Sequence, residues 1–222
     1  DFLKSWDIYY SRSKNISSKK DSDEFTLPGF SLAAESSVEF KATCEKNESR
    51  NVNWRETLIC PITNLNNRMR YSAMIIDMLG GLLDNDEIYI MEQITPLFNY
   101  LKTKYKNLKG SEFLGEDLIS GFINAEGITH QDATNLSFED NQLSAIFSFD
   151  VFEHIPNFKK AFHESFRSLK NGGKLIFSVP FDNKSDKTII RAKFNSRGEL
   201  EHILPPEYHG DPISSEGVLC FQ

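Results

Sequence analysis

Residues 132–180 read DATNLSFEDNQLSAIFSFDVFEHIPNFKKAFHESFRSLKNGGKLIFSVP. Within this stretch, residues 143–149 are mostly apolar and have the length of a strand that is buried on both faces. Residues 157–170 follow with apolar side chains at i, i+3, i+4 and i+7, which predicts an amphipathic helix that ends at the following glycine pair. Residues 174–181 are a second apolar run. The stretch therefore predicts strand, helix and strand in succession, the βαβ unit of a parallel sheet.

The same alternation extends toward the N-terminus. Residues 87–91 and 108–114 predict two strands, and residues 127–131 predict a third. Thr95 and Pro96 supply an N-cap and a first-turn proline for a helix between the first two strands. Strands that alternate with helices predict an α/β fold, a Rossmann-like and mostly parallel sheet with helices on both faces. Ligands of such sheets bind beyond the carboxyl ends of the strands.

The ends of the chain are less regular. Residues 1–64 predict an irregular N-terminal arm, in which Cys44 and Cys60 each open a C-x-x-C-like knuckle that has kept only its first cysteine. A structural zinc site needs four ligands, so no zinc is expected there. Residues 65–222 predict the main domain, beginning with a helix at 66–79. Little sequence follows the last predicted strand, so we expect a fragment that lacks the C-terminal strands of its sheet.

The composition excludes several classes of protein. The net charge is −7 and the lysines and arginines are scattered, which argues against a nucleic-acid partner. No apolar run approaches the ~18 residues that a membrane span needs. Three cysteines are too few for a disulfide scaffold and favour a reducing cytoplasm. We therefore expect a cytoplasmic protein with neither nucleic acid nor membrane as its partner, and the sequence indicates no oligomeric state.

The order of motifs in residues 132–180 resembles a known family. The run DATNLSFED is followed by DVFEHIP and then by LKNGG, at residues 132–140, 150–156 and 169–173. This order and spacing resemble the class I S-adenosylmethionine-dependent methyltransferases of the small-molecule type. The resemblance is detailed over residues 132–180 and looser over residues 85–190. It implies S-adenosyl-L-methionine as cofactor and a small molecule as substrate.

The resemblance also implies roles for acidic residues at the strand ends. Asp132 and Ala133 match the carboxylate and the amide that hold the adenine, and Glu112 matches the carboxylate that accepts the ribose hydroxyls. Glu112 lies 20 residues after Glu92, the spacing of nucleotide-binding βαβ units. Asp150 matches a contact to the amino group of the cofactor or the floor of the pocket. The alternative for each acid is a solvated loop carboxylate.

The turn after the first predicted strand departs from the family pattern. The family has an acidic, glycine-rich turn, whereas this chain has Glu92-Gln93-Ile94-Thr95-Pro96, without glycine. Side chains in this turn would crowd the cofactor. Either the N–H groups of the following helix hold the cofactor carboxylate, with Gln93 as an added donor, or the site has lost its cofactor. The turn and the later Gly-Ser-Glu-Phe-Leu at residues 110–114 resemble a methyltransferase subfamily, which favours a working site.

His154 and Glu153 are the predicted catalytic residues. His154 directly follows a strand and is expected to act as general base, with Glu153 orienting it. The alternative is a histidine that caps the next helix or bonds Glu153. The proline-stiffened residues 201–212 contain His202, Tyr208 and His209, which we expect to contact the acceptor. A rigid surface loop is the alternative there. A metal held by His202 and His209 is a further possibility that the prediction does not adopt.

The predicted function is methyl transfer from S-adenosyl-L-methionine to a small molecule, with the hydroxyl of a sugar or another metabolite as the candidate acceptor. Two alternatives stay open. A methyltransferase-like binding protein without turnover would explain the glycine-free turn. An NAD-type oxidoreductase would explain the spacing to Glu112, but the G-x-G-x-x-G fingerprint of that class is absent.

Overall fold

The computed structural model describes residues 23–44, 51–181, 184–210 and 217–222. The chain divides into two compact units, Asp1–Met78 and Leu79–Gln222. This boundary lies 14 residues after the predicted one at 64/65, because most of the predicted helix at 66–79 belongs to the first unit. In the described ranges, no helix is long and apolar enough to cross a membrane.

The first unit contains a β-hairpin in the segment that the sequence predicts to be irregular. Strands β1 (Glu24–Ser31) and β2 (Ser36–Thr43) pair antiparallel along their whole length. Pro28 lies inside β1, opposite Glu39. A short ladder accepts proline at an edge, where its missing N–H costs no hydrogen bond. The structure therefore differs from the predicted arm over residues 24–43, and residues 1–22 lie outside the described part.

The hairpin packs on a small core of the same unit. Cys44 and Cys60 are both buried there as free thiols. Helix α1 (Asn67–Gly80) follows and buries Met69 and Ile76, close to the predicted bounds. The buried core of this unit consists of Phe25, Val38, Phe40, Ala42, Cys44, Leu58 and Cys60.

The second unit is built on a parallel sheet, which confirms the predicted α/β fold. The strand order is β4-β3-β5-β6, and each neighbouring pair is parallel. One helix connects β3 to β4 and another connects β5 to β6. In chain order the elements are β3 (Ile88–Ile90), α2 (Pro96–Lys104), β4 (Leu108–Gly110), β5 (Leu143–Phe149), α3 (Phe158–Ser168) and β6 (Leu169–Ser178).

The centre of this unit is β5, which has the predicted bounds. Its residues 145–147 are fully buried because β3 and β6 flank the strand in the sheet. Helix α3 begins at its N-cap Asn157, whose side chain accepts a hydrogen bond from the Lys160 N–H. Gly172 adopts a φ of 81° within β6, so the predicted glycine stop lies inside the strand.

The sheet has a switch point at β3. From β3 the chain passes to β4 on one side, and later returns to β5 on the other side. The crevice beyond the carboxyl ends of these strands is where open α/β sheets bind ligands. The predicted strand at 127–131 is wrong, because only single bridges form there, between Glu112 and His130 and between Ile123 and Thr129.

The C-terminal segment forms short antiparallel pairs rather than the predicted loop. Strand β7 (Ala192–Phe194) pairs with β8 (Leu200–His202), and β9 (Tyr208–His209) pairs with β10 (Val218–Leu219). The backbone N–H of Ile203 donates to Arg191 and that of Arg191 donates to Phe221, which ties these pairs together.

Candidate functional site

The glycine-free turn after β3 is closed by a carboxylate. Oε1 of Glu112 accepts hydrogen bonds from the backbone N–H of Gln93, at 2.7 Å, and of Ile94, at 3.1 Å. A charged acceptor makes such bonds stronger than a neutral one does. Glu112 thus joins the loop beyond β4 to the turn beyond β3, and this turn keeps its shape without a glycine.

The side chain of Gln93 braces the same turn from the other side. Its Nε2 donates to the carbonyl of Gly127 at 2.9 Å, and its Oε1 accepts from the N–H of Thr129 at 2.8 Å. Gln93 is therefore a structural link to residues 127–129, a role for which the sequence carries no signal. Because Nε2 carries two hydrogens, donation from Gln93 to a cofactor carboxylate stays a prediction.

A glycine is required nearby, on the neighbouring strand. A Cβ atom at Gly110 would lie 2.6 Å from the carbonyl oxygen of Glu92 and 2.6 Å from the ring of Phe98. The end of β4 therefore approaches the turn and the start of α2 more closely than any side chain allows. Thr95 caps α2 as predicted, with its Oγ1 accepting from the N–H of Phe98 at 3.2 Å.

Asp132 and Ala133 lie in a tight turn with unused hydrogen-bonding capacity. The Asp132 carboxylate accepts from the N–H of Thr134 at 2.8 Å and from its hydroxyl at 2.9 Å. A carboxylate has about four acceptor sites, so two are left for a ligand. The N–H of Ala133 has no protein acceptor within the described residues. This pair can therefore offer an acceptor and a donor side by side.

A half-buried ion pair between Arg167 and Glu164 holds the loop after this turn against α3. Arg167 donates to the carbonyls of Phe138, at 2.8 Å, and Leu136, at 3.1 Å. Glu164 accepts from the N–H of Leu136 at 3.0 Å and pairs with Arg167 at 2.8 Å. The Arg167 hydrogen bond holds the pKa of Glu164 below its ordinary value, against the opposing effect of burial. Both residues lie outside the predicted site.

Asp150 turns the chain at the end of β5. Its φ is 58°, in the left-handed region that aspartate enters more readily than most side chains do. Its Oδ1 accepts from the hydroxyl of Ser178 at 2.9 Å, and its N–H donates to the Ser178 carbonyl at 3.0 Å. Asp150 thus links the carboxyl ends of β5 and β6, directly before the predicted catalytic residues.

The structure brings Glu153, His154 and His209 together. Glu153 is buried, and its Oε1 lies 3.6 Å from Nδ1 of His209 and 3.9 Å from Nε2 of His154. The two imidazole rings are 5.1 Å apart at 88°. Two residues that follow β5 therefore meet one from β9, more than 50 positions later in the chain.

The last residues of the chain complete this group. His154 Nδ1 is 2.9 Å from the carbonyl of Leu219, and the N–H of Phe221 donates to the carbonyl of Glu153 at 2.8 Å. A carbonyl can only accept, so Nδ1 of His154 carries a hydrogen. Cys220 is buried beside them, and burial together with the carboxylates of Glu207 and Glu153 raises the pKa of its thiol to about 11.

His202 and Tyr208 lie on strands that carry them to the surface. His202 is in β8 opposite Ala192, and its side chain is exposed. Tyr208 is in β9 opposite Leu219 and is 56% exposed. Their predicted contact with an acceptor stays a prediction.

Part of the chain matches one family of known proteins. Residues 101–177 match the sequence profile of a family described as "Methyltransferase domain". Phosphoethanolamine N-methyltransferase 2 of Caenorhabditis elegans is 37% identical over 59 residues, which are 25% of this chain and 14% of that protein. The chain thus spans about a seventh of the length of this curated relative.

Two of the solved structures that the chain matches in part are those of methyltransferases. Phosphoethanolamine N-methyltransferase 2 of Haemonchus contortus, in complex with S-adenosyl-L-methionine, matches with a TM-score of 0.38 at 18% identity, covering 49% of this chain and 27% of that one. The S-adenosylmethionine-dependent methyltransferase of Mesorhizobium loti matches with a TM-score of 0.39 at 12% identity, covering 69% of this chain and 76% of that one.

Proposed function

We propose that the second unit, whose residues 101–177 match the family model of a methyltransferase domain, binds S-adenosyl-L-methionine and transfers a methyl group to a small molecule. S-adenosyl-L-methionine is the cofactor of this family and supplies a methyl group bound to a positively charged sulfur. We propose that the unit Leu79–Gln222 is the methyltransferase domain, since it contains every residue of the candidate site.

The observation that carries the proposal is the carboxylate closure of the turn after β3. A glycine-free turn is the strongest argument for a lost cofactor site. Glu112 holds this turn through two backbone N–H groups with Oε1. In the proposed complex the Glu112 carboxylate would also accept the ribose hydroxyls. The turn that lacks glycine is thus compatible with the ribose contact that the family resemblance implies.

The adenine end supports the same proposal. Asp132 retains two acceptor sites of its carboxylate, and Ala133 retains its N–H among the described residues. An adenine amine needs an acceptor and the adjacent ring nitrogen needs a donor, in the same plane. We assign the amine to Asp132 and the ring nitrogen to Ala133. Asp150, Glu92 and Gln93 line the proposed route of the methionine part of the cofactor.

His154 is the proposed general base. With Nδ1–H donated to the Leu219 carbonyl, neutral His154 carries its lone pair on Nε2, the nitrogen nearer to Glu153. This tautomer can accept a proton from an acceptor hydroxyl while that oxygen attacks the methyl group. The buried Glu153 carboxylate would stabilise the resulting imidazolium, as a nearby opposite charge does.

The most specific part of the proposal is the chemical class of the methyl acceptor. A hydroxyl of a sugar or another metabolite is favoured by a base on His154, because an alcohol must lose its proton. A second candidate is an amine, since a relative over 59 residues is a phosphoethanolamine N-methyltransferase. A neutral amine needs no base before it attacks. Transfer assays with phosphoethanolamine and with hydroxyl acceptors, each on wild type and His154→Gln, distinguish the two.

Calorimetric titration with S-adenosylhomocysteine tests the cofactor site. Asp132→Ala and Glu112→Gln each remove a contact to a charged group, worth about 1.5–3 kcal/mol, so each should weaken binding roughly tenfold or more. Glu116→Gln is the matched control, because Glu116 is an exposed carboxylate of the same loop. A folded wild-type protein that does not bind S-adenosylhomocysteine contradicts the proposal. Binding without transfer to any acceptor favours the binding-protein alternative.

A further inference from the structure

Three side chains with donor atoms typical of transition-metal sites converge beside Glu153. One ring nitrogen each of His154 and His209 and the Sγ of Cys220 all lie within 4.8 Å of one another. Imidazole nitrogen and thiolate sulfur together suit Zn²⁺ better than they suit Mg²⁺ or Ca²⁺, which prefer oxygen. We propose that His154, His209 and Cys220 form a binding site for a divalent transition-metal ion, with Zn²⁺ as the best match. This inference goes beyond the proposed methyl transfer and does not depend on it.

The pairing of β9 with β10 explains why two of these ligands share a face. His209 lies opposite Val218 in the antiparallel pair. Side chains two residues apart on a strand point to the same side, so Cys220 follows Val218 onto the face of His209. The N–H of Cys220 donates to the carbonyl of Glu207 at 2.8 Å, which continues the ladder by one step. The backbone alone therefore presents His209 and Cys220 together.

The third ligand is oriented by the same segment. His154 donates Nδ1–H to the carbonyl of Leu219, the residue directly before Cys220. Histidines that bind metals commonly donate their other ring N–H to a carbonyl or a carboxylate, which fixes the tautomer and the ring. With Nδ1 engaged by Leu219, we assign Nε2 of His154 to the metal.

The three donor atoms must move closer together to bind one metal ion. Zinc bound tetrahedrally at about 2.0–2.1 Å from nitrogen and 2.3 Å from sulfur holds its ligand atoms roughly 3.3–3.6 Å apart. Donor atoms that are now as much as 4.8 Å apart must therefore approach one another by up to about 1.5 Å. His209 can move, since its side chain is 33% exposed. The fourth position is open to the Glu153 carboxylate, a water molecule or a substrate atom.

The charges around the group also favour a cation. The carboxylates of Glu153 and Glu207 each lie 3.6 Å from a ring nitrogen of His209. The guanidinium of Arg191 faces the group from beside β7 and pairs with Glu207 at 2.8 Å. A divalent ion would place positive charge next to the buried Glu153 carboxylate. Burying a carboxylate costs much less free energy when an opposite charge lies beside it. Metal binding and base catalysis compete for Nε2 of His154, so the test must measure the metal itself.

Titration of the whole chain with Co²⁺ tests the site through its absorption spectrum. A thiolate bound to Co²⁺ gives a charge-transfer band in the near ultraviolet, and d–d bands report tetrahedral geometry. We expect both, and we expect Zn²⁺ to displace Co²⁺, because zinc binds such sites more tightly. Cys220→Ser should abolish the charge-transfer band, and His209→Gln should weaken Co²⁺ binding roughly tenfold or more.

Matched variants outside the cluster are the controls. Cys60→Ser removes a buried thiol of the first unit, and His163→Gln removes an imidazole on α3 that is outside the group. Both should retain the charge-transfer band and the affinity. Wild type without a band, or a band that survives Cys220→Ser, overturns the proposal. If Cys220→Ser does not fold by circular dichroism, undiminished Co²⁺ affinity in His209→Gln overturns it. Calorimetry with S-adenosylhomocysteine on the same samples separates failure of the metal site from failure of the cofactor site.

Discussion

At the scale of single residues, Glu112 and Gln93 replace the conformational freedom of glycine with hydrogen bonds. A glycine-rich turn lets the backbone approach a ligand because no Cβ is present. In this chain the turn is shaped from outside, by the Glu112 carboxylate and by the amide of Gln93. The one glycine that the region requires, Gly110, lies on the adjacent strand. The tolerance for side chains in the turn therefore depends on two partners distant in sequence.

Gln93→Ala is expected to weaken cofactor binding while the protein stays folded. The change removes two hydrogen bonds to residues 127–129, each worth about 1 kcal/mol. S-adenosylhomocysteine should bind roughly tenfold more weakly in calorimetric titration. Gln142→Ala is the control, because the Gln142 side chain accepts only from the nearby N–H of Glu139 in the described contacts. Equal affinity in Gln93→Ala and wild type would remove the turn from the proposed site.

His154→Gln is expected to separate binding from transfer. General-base catalysis contributes about 10²–10⁴-fold to rate, so single-turnover transfer to a hydroxyl acceptor should fall by that factor. The affinity for S-adenosylhomocysteine should change little, since the proposed cofactor contacts lie on other residues. A rate that falls only in parallel with cofactor affinity would contradict the base role.

At the scale of elements, the pattern of apolar residues within one segment is sufficient to predict a strand or helix that packs into the core of the sheet. The continuous apolar run of residues 143–149 predicts strand β5, and the helical spacing of apolar residues at 157–170 predicts helix α3. Strand β2 also alternates, with Val38, Phe40 and Ala42 buried. That signal was available in the sequence, but Pro28 and Gly29 made the pairing strand resemble a turn.

The predicted strand at 127–131 failed for a different reason. Asn124 accepts from the N–H of Ile128 with its side chain, which folds residues 124–128 into a turn. An asparagine that bonds its own backbone competes with a ladder of strand hydrogen bonds. The segment therefore contributes single bridges to Glu112 and Ile123 rather than a strand.

Gly110→Ala tests how closely β4 approaches the turn after β3. The new Cβ would lie 2.6 Å from the backbone oxygen of Glu92, which cannot rotate away as a flexible side chain can. Overpacking of this kind costs about 1–3 kcal/mol, and the displaced turn should also bind S-adenosylhomocysteine more weakly. Gly210→Ala is the control, because a Cβ at that position would meet no described atom within 4 Å. Urea denaturation measures the first effect and calorimetry the second. Wild-type stability in Gly110→Ala would contradict the close approach.

At the scale of the whole molecule, the group around Glu153 depends on contacts that no sequence window contains. His154 reaches Leu219 across 65 positions, and Cys220 joins it through the pairing of β9 with β10. The sequence predicts His154 as a catalytic residue and His209 as a contact to the acceptor, but it does not predict that the two histidines lie next to each other. It offered no signal for Cys220, since a single buried thiol has no periodicity. The tertiary fold brings together the end of β5, the β9–β10 pair and the C-terminal residues.

The acid stability of the second unit follows from two carboxylates with lowered pKa values. A hydrogen bond from the Leu83 N–H, together with one from Ser144, lowers the pKa of Asp86, and Arg167 lowers that of Glu164. A folded-state pKa below the unfolded value stabilises the fold above the unfolded pKa, about 4 for both groups. This stabilisation is lost as the pH falls through the lower folded-state values.

The midpoint of thermal unfolding should therefore stay nearly constant from pH 7 to about 5 and decline below about pH 4. The double variant Asp86→Asn, Glu164→Gln should unfold at lower temperature at pH 7, with a shallower decline in acid, because it has no such protons to bind. The matched control Asp117→Asn, Glu116→Gln changes two exposed carboxylates and should retain the wild-type slope. Equal slopes in all three proteins would show that the acid sensitivity arises from other groups, and that the Glu164–Arg167 contact does not hold α3 to the loop at residues 136–140.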